Sequence, residues 1–350
     1  MSLTVLSVAY PLAEVGPDAV GGSEQVLQQL DRALVEAGHK SIVVACEGSR
    51  TAGTLVTIPA TRGPIDDAAR EAAFARHREA VANVLERRPV DVVHIHGIAF
   101  HNFLPPPGPP VLATLHGPWS WYPDEALRPS RPDTWLHCVS RTQHDTAPAG
   151  VRLLLPIENG VPVEALAARH AKRGFALILG RVCPEKGVHL AIDAAKRAGT
   201  PLLIAGEVHA YEDHERYFEQ EIKPRLDRKR RFVGPLDFAH KRRFLTAARC
   251  LLVSSVVQET SSLVAREALA CGTPVIAFPN GAVPEAVKHG RTGFLVANVD
   301  EMAEAIRAAD RLDSEACRRV ACERFSLRRM IERYFEIYRR LARGEQPCAA

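Results

Sequence analysis

The chain has 350 residues, a net charge of +4, 46% hydrophobic and 25% charged residues, enough for two domains of ordinary size. That balance excludes a disordered chain, and so mild a cation excess argues against a nucleic-acid partner while suiting an anionic nucleotide. No apolar run approaches a membrane span, residues 1–15 lack the plan of a secretory signal, and eight scattered cysteines without a Cys-x-x-Cys read as reduced thiols of a cytoplasmic protein.

Residues 4–9 form an apolar run that predicts a first strand. Past Pro11, Gly16 and Pro17 come Gly21, Gly22, Ser23 and Glu24. Ser23 is expected to cap a helix with Val26, Leu27, Leu30, Ala33 and Leu34 on its apolar face, and Gly38 to end it before a strand at 42–45. The glycine pair is not part of a Gly-x-Gly-x-x-Gly fingerprint, so by itself it reads as a turn needing positive φ.

Further strands are expected at 55–58, 91–96 and 111–115, with a long alanine-rich helix at 66–87. His94 and His96 share one strand face. The strand at 111–115 delivers His116 and Gly117 at its carboxyl end, and Trp119, Trp121 and Tyr122 follow. Aromatic faces stack on sugar rings and also fill cores. His94, His96, His101 and His116 fit no zinc spacing, so no metal is expected there. Strands at 135–140 and 152–155 close this half.

Residues 175–179 predict a buried strand with Gly180 and Arg181 at its end; Glu185, Lys186 and Gly187 follow, then a helix at 188–197. Two cations at a strand end beside a helix start suit a diphosphate, Arg as a fork of donors and Lys as a point charge; the plainer alternative is a surface turn with two solvated bases. Strands at 201–206 and 231–236 flank a charged helix from 212 to 226 that Pro224 should kink or end, and 241–248 is helical. The basic runs at 228–231 and 339–340 read as solvated faces.

From 251 to 296 the pattern is strand, loop, helix, strand, loop, strand. Glu259 falls in the loop after a strand's carboxyl end, where ligands bind in open α/β sheets. Ser262, Leu263 and Val264 open a helix whose first N–H groups and dipole suit a phosphate. Glu267, with seven residues between it and Glu259, is placed to accept two hydroxyl hydrogen bonds of the kind a ribose offers. A capping box is the weaker account of Glu267, because Val stands at 264. Helices near 299–309, 314–323 and 327–343 end the chain. The last carries Leu327, Met330, Ile331, Tyr334, Phe335, Tyr338 and Leu341 on one face. Its opposite, arginine-rich face reads as solvated, with weak membrane-surface contact as the alternative.

Glu259, seven residues and Glu267, then residues 268–276, Gly281-Ala282-Val283-Pro284-Glu285 and 289–296, together resemble the signature of the retaining glycosyltransferases of family 4. Gly180-Arg181 with Glu185-Lys186-Gly187 is similar to that family's diphosphate motif. Gly21-Gly22-Ser23-Glu24 is similar to its N-terminal loop, Thr114-Leu115-His116-Gly117 to its strand-end histidine, and Asn159-Gly160 to its domain junction. The resemblance is dense over 175–300 and thin over 1–165. It departs at Ser262, where the family commonly has Gly and a Cβ would crowd a pyrophosphate.

The resemblance implies an α/β GT-B fold: two Rossmann-like parallel-sheet domains facing across a cleft, 1–165 for the acceptor and 166–325 for a nucleotide sugar, with a C-terminal helix in 326–350 packing back on the first. It implies transfer of a hexosyl group with retention from a nucleotide-diphosphate sugar, UDP-glucose or a related UDP-sugar favoured, to a glycan, lipid or small-molecule acceptor. The implied catalytic residues are His116, Glu259, Arg181 and Lys186. Donor contacts fall on Gly22, Gly180, Arg181, Lys186, Leu236, Glu259, Ser262, Leu263, Val264 and Glu267, and acceptor contacts on Gly21, Gly22, His96 and Trp119. The donor is a co-substrate, and neither a cofactor nor a divalent ion is expected. Two alternatives stay open: a non-hydrolysing UDP-sugar epimerase, and an inactive nucleotide-sugar-binding partner subunit.

Overall fold

The computed structural model describes residues 2–63 and 65–345. Its chain divides into two compact units, Met1–Glu158 with Met330–Ala350, and Asn159–Arg329. Residues 159–165 and 326–329 therefore lie in the second unit, a shift from the boundaries expected at 165 and 326. The cause is local pairing: the Val161 N–H donates to the Phe325 carbonyl (2.8 Å) and the Leu327 N–H to the Val161 carbonyl (2.9 Å). Gly160 permits this approach, since a Cβ there would lie 2.7 Å from the Cα of Leu327.

The first unit is built on a seven-stranded parallel sheet in the order β3-β2-β1-β4-β5-β6-β7. The strands are β1 (Thr4–Val8), β2 (Lys40–Cys46), β3 (Thr54–Ile58), β4 (Val92–Ile95), β5 (Val111–Leu115), β6 (Thr134–Cys138) and β7 (Leu153–Leu154). Buried valines, isoleucines and leucines fill both faces of the central strands, as a sheet covered on two sides requires. The helix Gly22–Glu36 packs Val26, Leu27, Leu30 and Leu34 inward. Its cap differs from expectation: Gly21 occupies that position with no side-chain cap bond, and the Ser23 hydroxyl turns to the Glu24 carboxylate (2.9 Å). The helix Leu327–Ala342 buries Met330, Tyr334, Phe335, Tyr338 and Leu341, and its tyrosines reach the side chains of β4 and β5.

The second unit repeats the plan with six parallel strands, in the order β10-β9-β8-β11-β12-β13. They are β8 (Ala176–Leu179), β9 (Leu202–Ala205), β10 (Arg230–Gly234), β11 (Cys250–Val253), β12 (Val275–Ala277) and β13 (Gly293–Leu295). Alternate residues feed opposite cores. Leu177, Leu251 and Val275 pack with Ala265, Ala268 and Leu269 of the helix Leu263–Ala270, while Ile178, Leu252 and Ile276 pack with Ile192, Met302 and Ile306 on the other face. The expected helix at 212–226 holds α geometry only over Glu212–Tyr217, then widens to a π turn at Phe218–Ile222 and tightens at Lys223–Arg225 around Pro224. Arg230 departs from the solvated reading of its basic run, being buried and paired with Asp227.

The expected α/β architecture of two Rossmann-like parallel sheets is what the chain adopts. In each sheet the strand order reverses beside the first strand, between β1 and β4 and again between β8 and β11. That reversal opens a crevice at the carboxyl ends of those strands. Cys46, Cys138, Cys183, Cys250, Cys271 and Cys317 are free and buried, Cys322 is exposed, and Cys348 lies outside the described residues. Among the described residues no helix is long and apolar enough to cross a membrane.

Candidate functional site

In the second unit the loops after β8 and β11 meet at the switch point. Four contacts lace them together. The Val256 N–H donates to the Glu185 carbonyl (2.9 Å), and the Ser254 hydroxyl to the Lys186 carbonyl (2.9 Å). Gly187, at φ +56°, lets Ser254 approach so closely that a Cβ would lie 2.3 Å from its carbonyl oxygen. The Lys186 ammonium donates to Glu259 Oε1 at 2.5 Å. A second close approach shapes the start of the loop: Gly206 presses on the Gly180 carbonyl, leaving no room for a side chain. Arg181 follows Gly180 and is half-buried.

Glu259 is gripped from several directions. Its side chain is 9% exposed. Burial alone would raise its carboxyl, but the Lys186 ammonium, hydrogen bonds from Lys186 and Ser255, and the Arg181 charge together hold it below the usual carboxylate range. The Glu259 carbonyl accepts from the Ala282 N–H (2.7 Å). Asn280 donates its amide to the Ser255 carbonyl (2.7 Å), so the loop after β12 braces the one after β11.

Ser262 starts the helix Leu263–Ala270 in the left-handed region, φ 49° and ψ 68°, with no side-chain cap bond. A position held this way favours glycine. On the next turn Glu267, side chain 4% exposed, pairs through Oε1 with the Lys241 ammonium at 2.6 Å. Its other oxygen is buried and makes no hydrogen bond to the protein. Leu236 is half-buried, its side chain packed against the core of this unit.

At the ends of β4 and β5 the first unit presents imidazoles that burial keeps neutral. His94 is fully buried and satisfied, with Nδ1 bonded to the Tyr338 hydroxyl (2.6 Å) and Nε2 to the Thr114 hydroxyl (2.7 Å). Thr114 also meets His137 Nε2 at 2.7 Å. His96 Nδ1 and His116 Nε2 share a hydrogen bond of 3.1 Å, their rings stacked. Burial, with the charge of His137 adding, pushes the His116 imidazole down to about 3. Burial pushes His96 well down too, with His94 and His116 adding. Trp119 is anchored by its indole N–H to the Gln143 carbonyl (3.1 Å). Gly21 lies against the Glu24 carboxylate, which would collide with any Cβ there, and Gly22 is exposed.

Two family models match the chain: Glycosyltransferase Family 4 over residues 20–147 and Glycosyl transferases group 1 over residues 174–309. The chain belongs to the GT-B glycosyltransferases. It is 34% identical over 214 residues to a glycogen synthase of Mycobacterium tuberculosis, a match covering 56% of this chain and 51% of that protein. Among solved structures it is similar to AviGT4, a glycosyltransferase involved in avilamycin A biosynthesis, at 26% identity and TM-score 0.73, with 98% of each chain covered. It shares its fold with sucrose-phosphate synthase from Thermosynechococcus elongatus, at 20% identity and TM-score 0.79, over 98% of this chain and 100% of that one. The chain spans about half the length of the curated relatives it matches.

In this chain Gly180, Arg181, Lys186, Glu259 and Ser262 to Glu267 gather at the carboxyl ends of β8 and β11 in one unit. His96 and His116 adjoin each other at the ends of β4 and β5 in the other. Sequence reasoning missed Lys241, whose helix Phe238–Ala247 precedes β11. It also missed Ser255, Asn280 and the role of Gly187. No spacing rule links Lys241 to Glu267, since helices from separate βα units bring them together. Gly187 and Gly281 carried a usable signal, because both hold positive φ where a side chain would strike backbone.

Proposed function

We propose that the chain is a retaining hexosyltransferase using a nucleotide-diphosphate sugar, with UDP-glucose or a related UDP-sugar as donor. The supporting observation is the meeting of Arg181, Lys186, Glu259 and the Ser262 helix start at one switch point. Arg181 and Lys186 neutralise charge on the departing diphosphate, and the N–H groups at Leu263 and Val264 add to this. Glu259 takes hydroxyls of the donor sugar. Glu267, with an oxygen left to accept, takes the ribose. The bond from the anomeric carbon to the diphosphate oxygen breaks. A bond to the acceptor oxygen forms on the same face, and the acceptor proton passes to the leaving diphosphate. His116 supports the sugar, while Gly21, Gly22, His96 and Trp119 serve the acceptor.

With cations in place at the phosphates the transfer runs without magnesium or manganese. Chelated enzyme that regained lost transfer only on adding either ion would contradict this. The relatives are named for glycogen, sucrose phosphate and avilamycin A, so the acceptor is assigned no more narrowly than a hydroxyl-bearing glycan, lipid or small molecule. The free buried cysteines support a cytoplasmic location. The deciding experiment is a thermal-shift screen against UDP-, GDP- and ADP-sugars, followed by donor hydrolysis without acceptor. Stabilisation by a UDP-sugar with slow release of free sugar is expected. Stabilisation without any sugar release indicates a binding subunit, and no response to any nucleotide sugar overturns the reading.

A further inference from the structure

Cys183 and Glu185 stand in the loop after β8, and His214 on the helix after β9, the neighbouring strand. The Cys183 sulfur, a Glu185 oxygen and a His214 nitrogen all lie within 4.8 Å of one another. Cys183 is fully buried and His214 is 5% exposed. His214 Nδ1 and Glu185 Oε2 are both buried and make no hydrogen bond to the protein. Burying a polar atom without a partner costs about 1–3 kcal/mol; the Glu185 carboxylate has the Cys183 thiol beside it, so His214 Nδ1 is the atom that most needs a partner here.

We infer that Cys183, Glu185 and His214 bind a zinc ion that ties the Arg181–Gly187 loop to the helix Glu212–Tyr217. Sulfur, imidazole and carboxylate are the ligand types zinc takes, at about 2.0–2.3 Å. Ligand separations around one tetrahedral ion then come to about 3.3–3.8 Å, so closing the site needs side-chain adjustment of only about an ångström. Burial pushes the Cys183 thiol up to about 11, so it gives its proton to solvent as the ion binds; thiolate and carboxylate together then neutralise a divalent ion, which suits a buried place. Magnesium and manganese prefer all-oxygen sets and are poor candidates. Arg181 acts electrostatically on both His214 and Cys183, and with the ion neutralised by its two negative ligands that single positive charge remains beside the site. Three ligands leave a fourth position for water. His209, its ring centroid 6.2 Å from that of His214, borders that side. The ion takes no part in the transfer chemistry. Its place is to fix the loop that carries Arg181 and Lys186. The three residues form no linear zinc signature, because two neighbouring βα units supply them, and the spacing of the cysteines and histidines gave no sign of it.

The test is titration of chelator-stripped full-length protein with Co(II), followed by displacement with Zn(II). One equivalent should bind, with thiolate-to-cobalt charge transfer and the intense visible bands of a tetrahedral site. Cys183→Ser should abolish the charge transfer, and His214→Gln should weaken binding about tenfold or more. The double variant Cys322→Ser/Cys348→Ser should keep the spectrum, since Cys322 is an exposed thiol. If Cys183→Ser does not fold, Glu185→Gln takes its place and should lower cobalt affinity by a similar factor with the apo melting temperature unchanged. No stoichiometric binding, charge transfer that survives Cys183→Ser, affinity unchanged in Glu185→Gln, or a spectrum lost with the Cys322 and Cys348 changes overturns the site. Nucleotide-sugar binding is not the readout, so this outcome is separate from that of the proposed transfer.

Discussion

Replacing Ser262 with glycine should stabilise the protein, against the usual effect of glycine beside a helix. Ser262 is one of two non-glycine residues at positive φ among the described residues, the other being Asp133. A left-handed backbone costs an L-residue about 1–2 kcal/mol, which glycine does not incur. Glycine gives back about 0.4–1 kcal/mol through its freer unfolded chain. The Ser262 hydroxyl is buried without a protein partner, and its removal adds a further gain on the order of 1 kcal/mol. The net expectation is about 2 kcal/mol of added stability, or about 4–8 °C for a unit of this size. Calorimetry and urea unfolding of the full chain read it directly. Ser262→Ala separates the terms, since it loses the hydroxyl and keeps the Cβ, so it should recover only the hydroxyl's share, about 1 kcal/mol. Under the proposed function Ser262→Gly should also bind UDP more tightly, because the pyrophosphate can come closer to the helix start. Destabilisation by about 1 kcal/mol, the ordinary cost of glycine, would refute the left-handed assignment and the crowding argument with it.

Lys241→Met leaves Glu267 as a buried, unpaired carboxylate and should cost about 3 kcal/mol or more in urea unfolding; Lys241→Met with Glu267→Gln should recover most of that, and a single variant as stable as the parent refutes the pairing. Lys186→Ala should lower turnover by about two to three powers of ten with the fold retained by circular dichroism, and near-normal turnover would remove Lys186 from the diphosphate site. Melting temperature should fall as pH drops below about 6.5, because burial pushes His77 and His137 down to about 4 and His116 to about 3. These side chains stay neutral in the fold while the unfolded chain takes up protons, at about 1.4 kcal/mol per histidine per pH unit until the folded values are reached. A melting temperature flat between pH 6.5 and 5 would contradict their burial as neutral rings.

Much of the fold was legible because the chain obeys the periodic rules strictly. The apolar runs at 4–8, 42–45 and 251–253 are β-branched and leucine-rich segments of the length a buried parallel strand needs, and all became central strands. What failed was local and competitive. Ser23 had the chemistry of a cap, but Glu24 beside it offers its hydroxyl a stronger acceptor, and Gly21 took the cap position. Arg230 sat in a run of four bases, yet Asp227 three residues earlier gave it a partner and a buried place. At the candidate site, positions fixed by backbone order were readable, since a loop after a strand end must lie at the sheet's carboxyl edge. Partners were not. The Lys186–Glu259 pair joins residues 73 apart and Lys241–Glu267 joins residues 26 apart, and only packing of separate βα units decides such meetings.

Under the proposed function, one topology serves two kinds of ligand. Both reverse at the same strand and open at the same edge. The second unit lines that edge with cations and carboxylates already paired, Lys186 with Glu259 and Lys241 with Glu267. On that proposal a diphosphate would meet groups whose geometry hydrogen bonds already hold, so little rearrangement would oppose its binding. The first unit lines its edge with rings that burial keeps neutral, His96 and His116. Neutral imidazole both donates and accepts, matching a hydroxyl, and offers no counter-charge to a phosphate. Under the proposed function, the charge state at each edge supports a diphosphate in the second unit and a hydroxyl-bearing acceptor in the first. The same reasoning places the cost of error: a charge introduced at His96 would be buried without a partner, whereas one removed at Lys186 would leave Glu259 uncompensated.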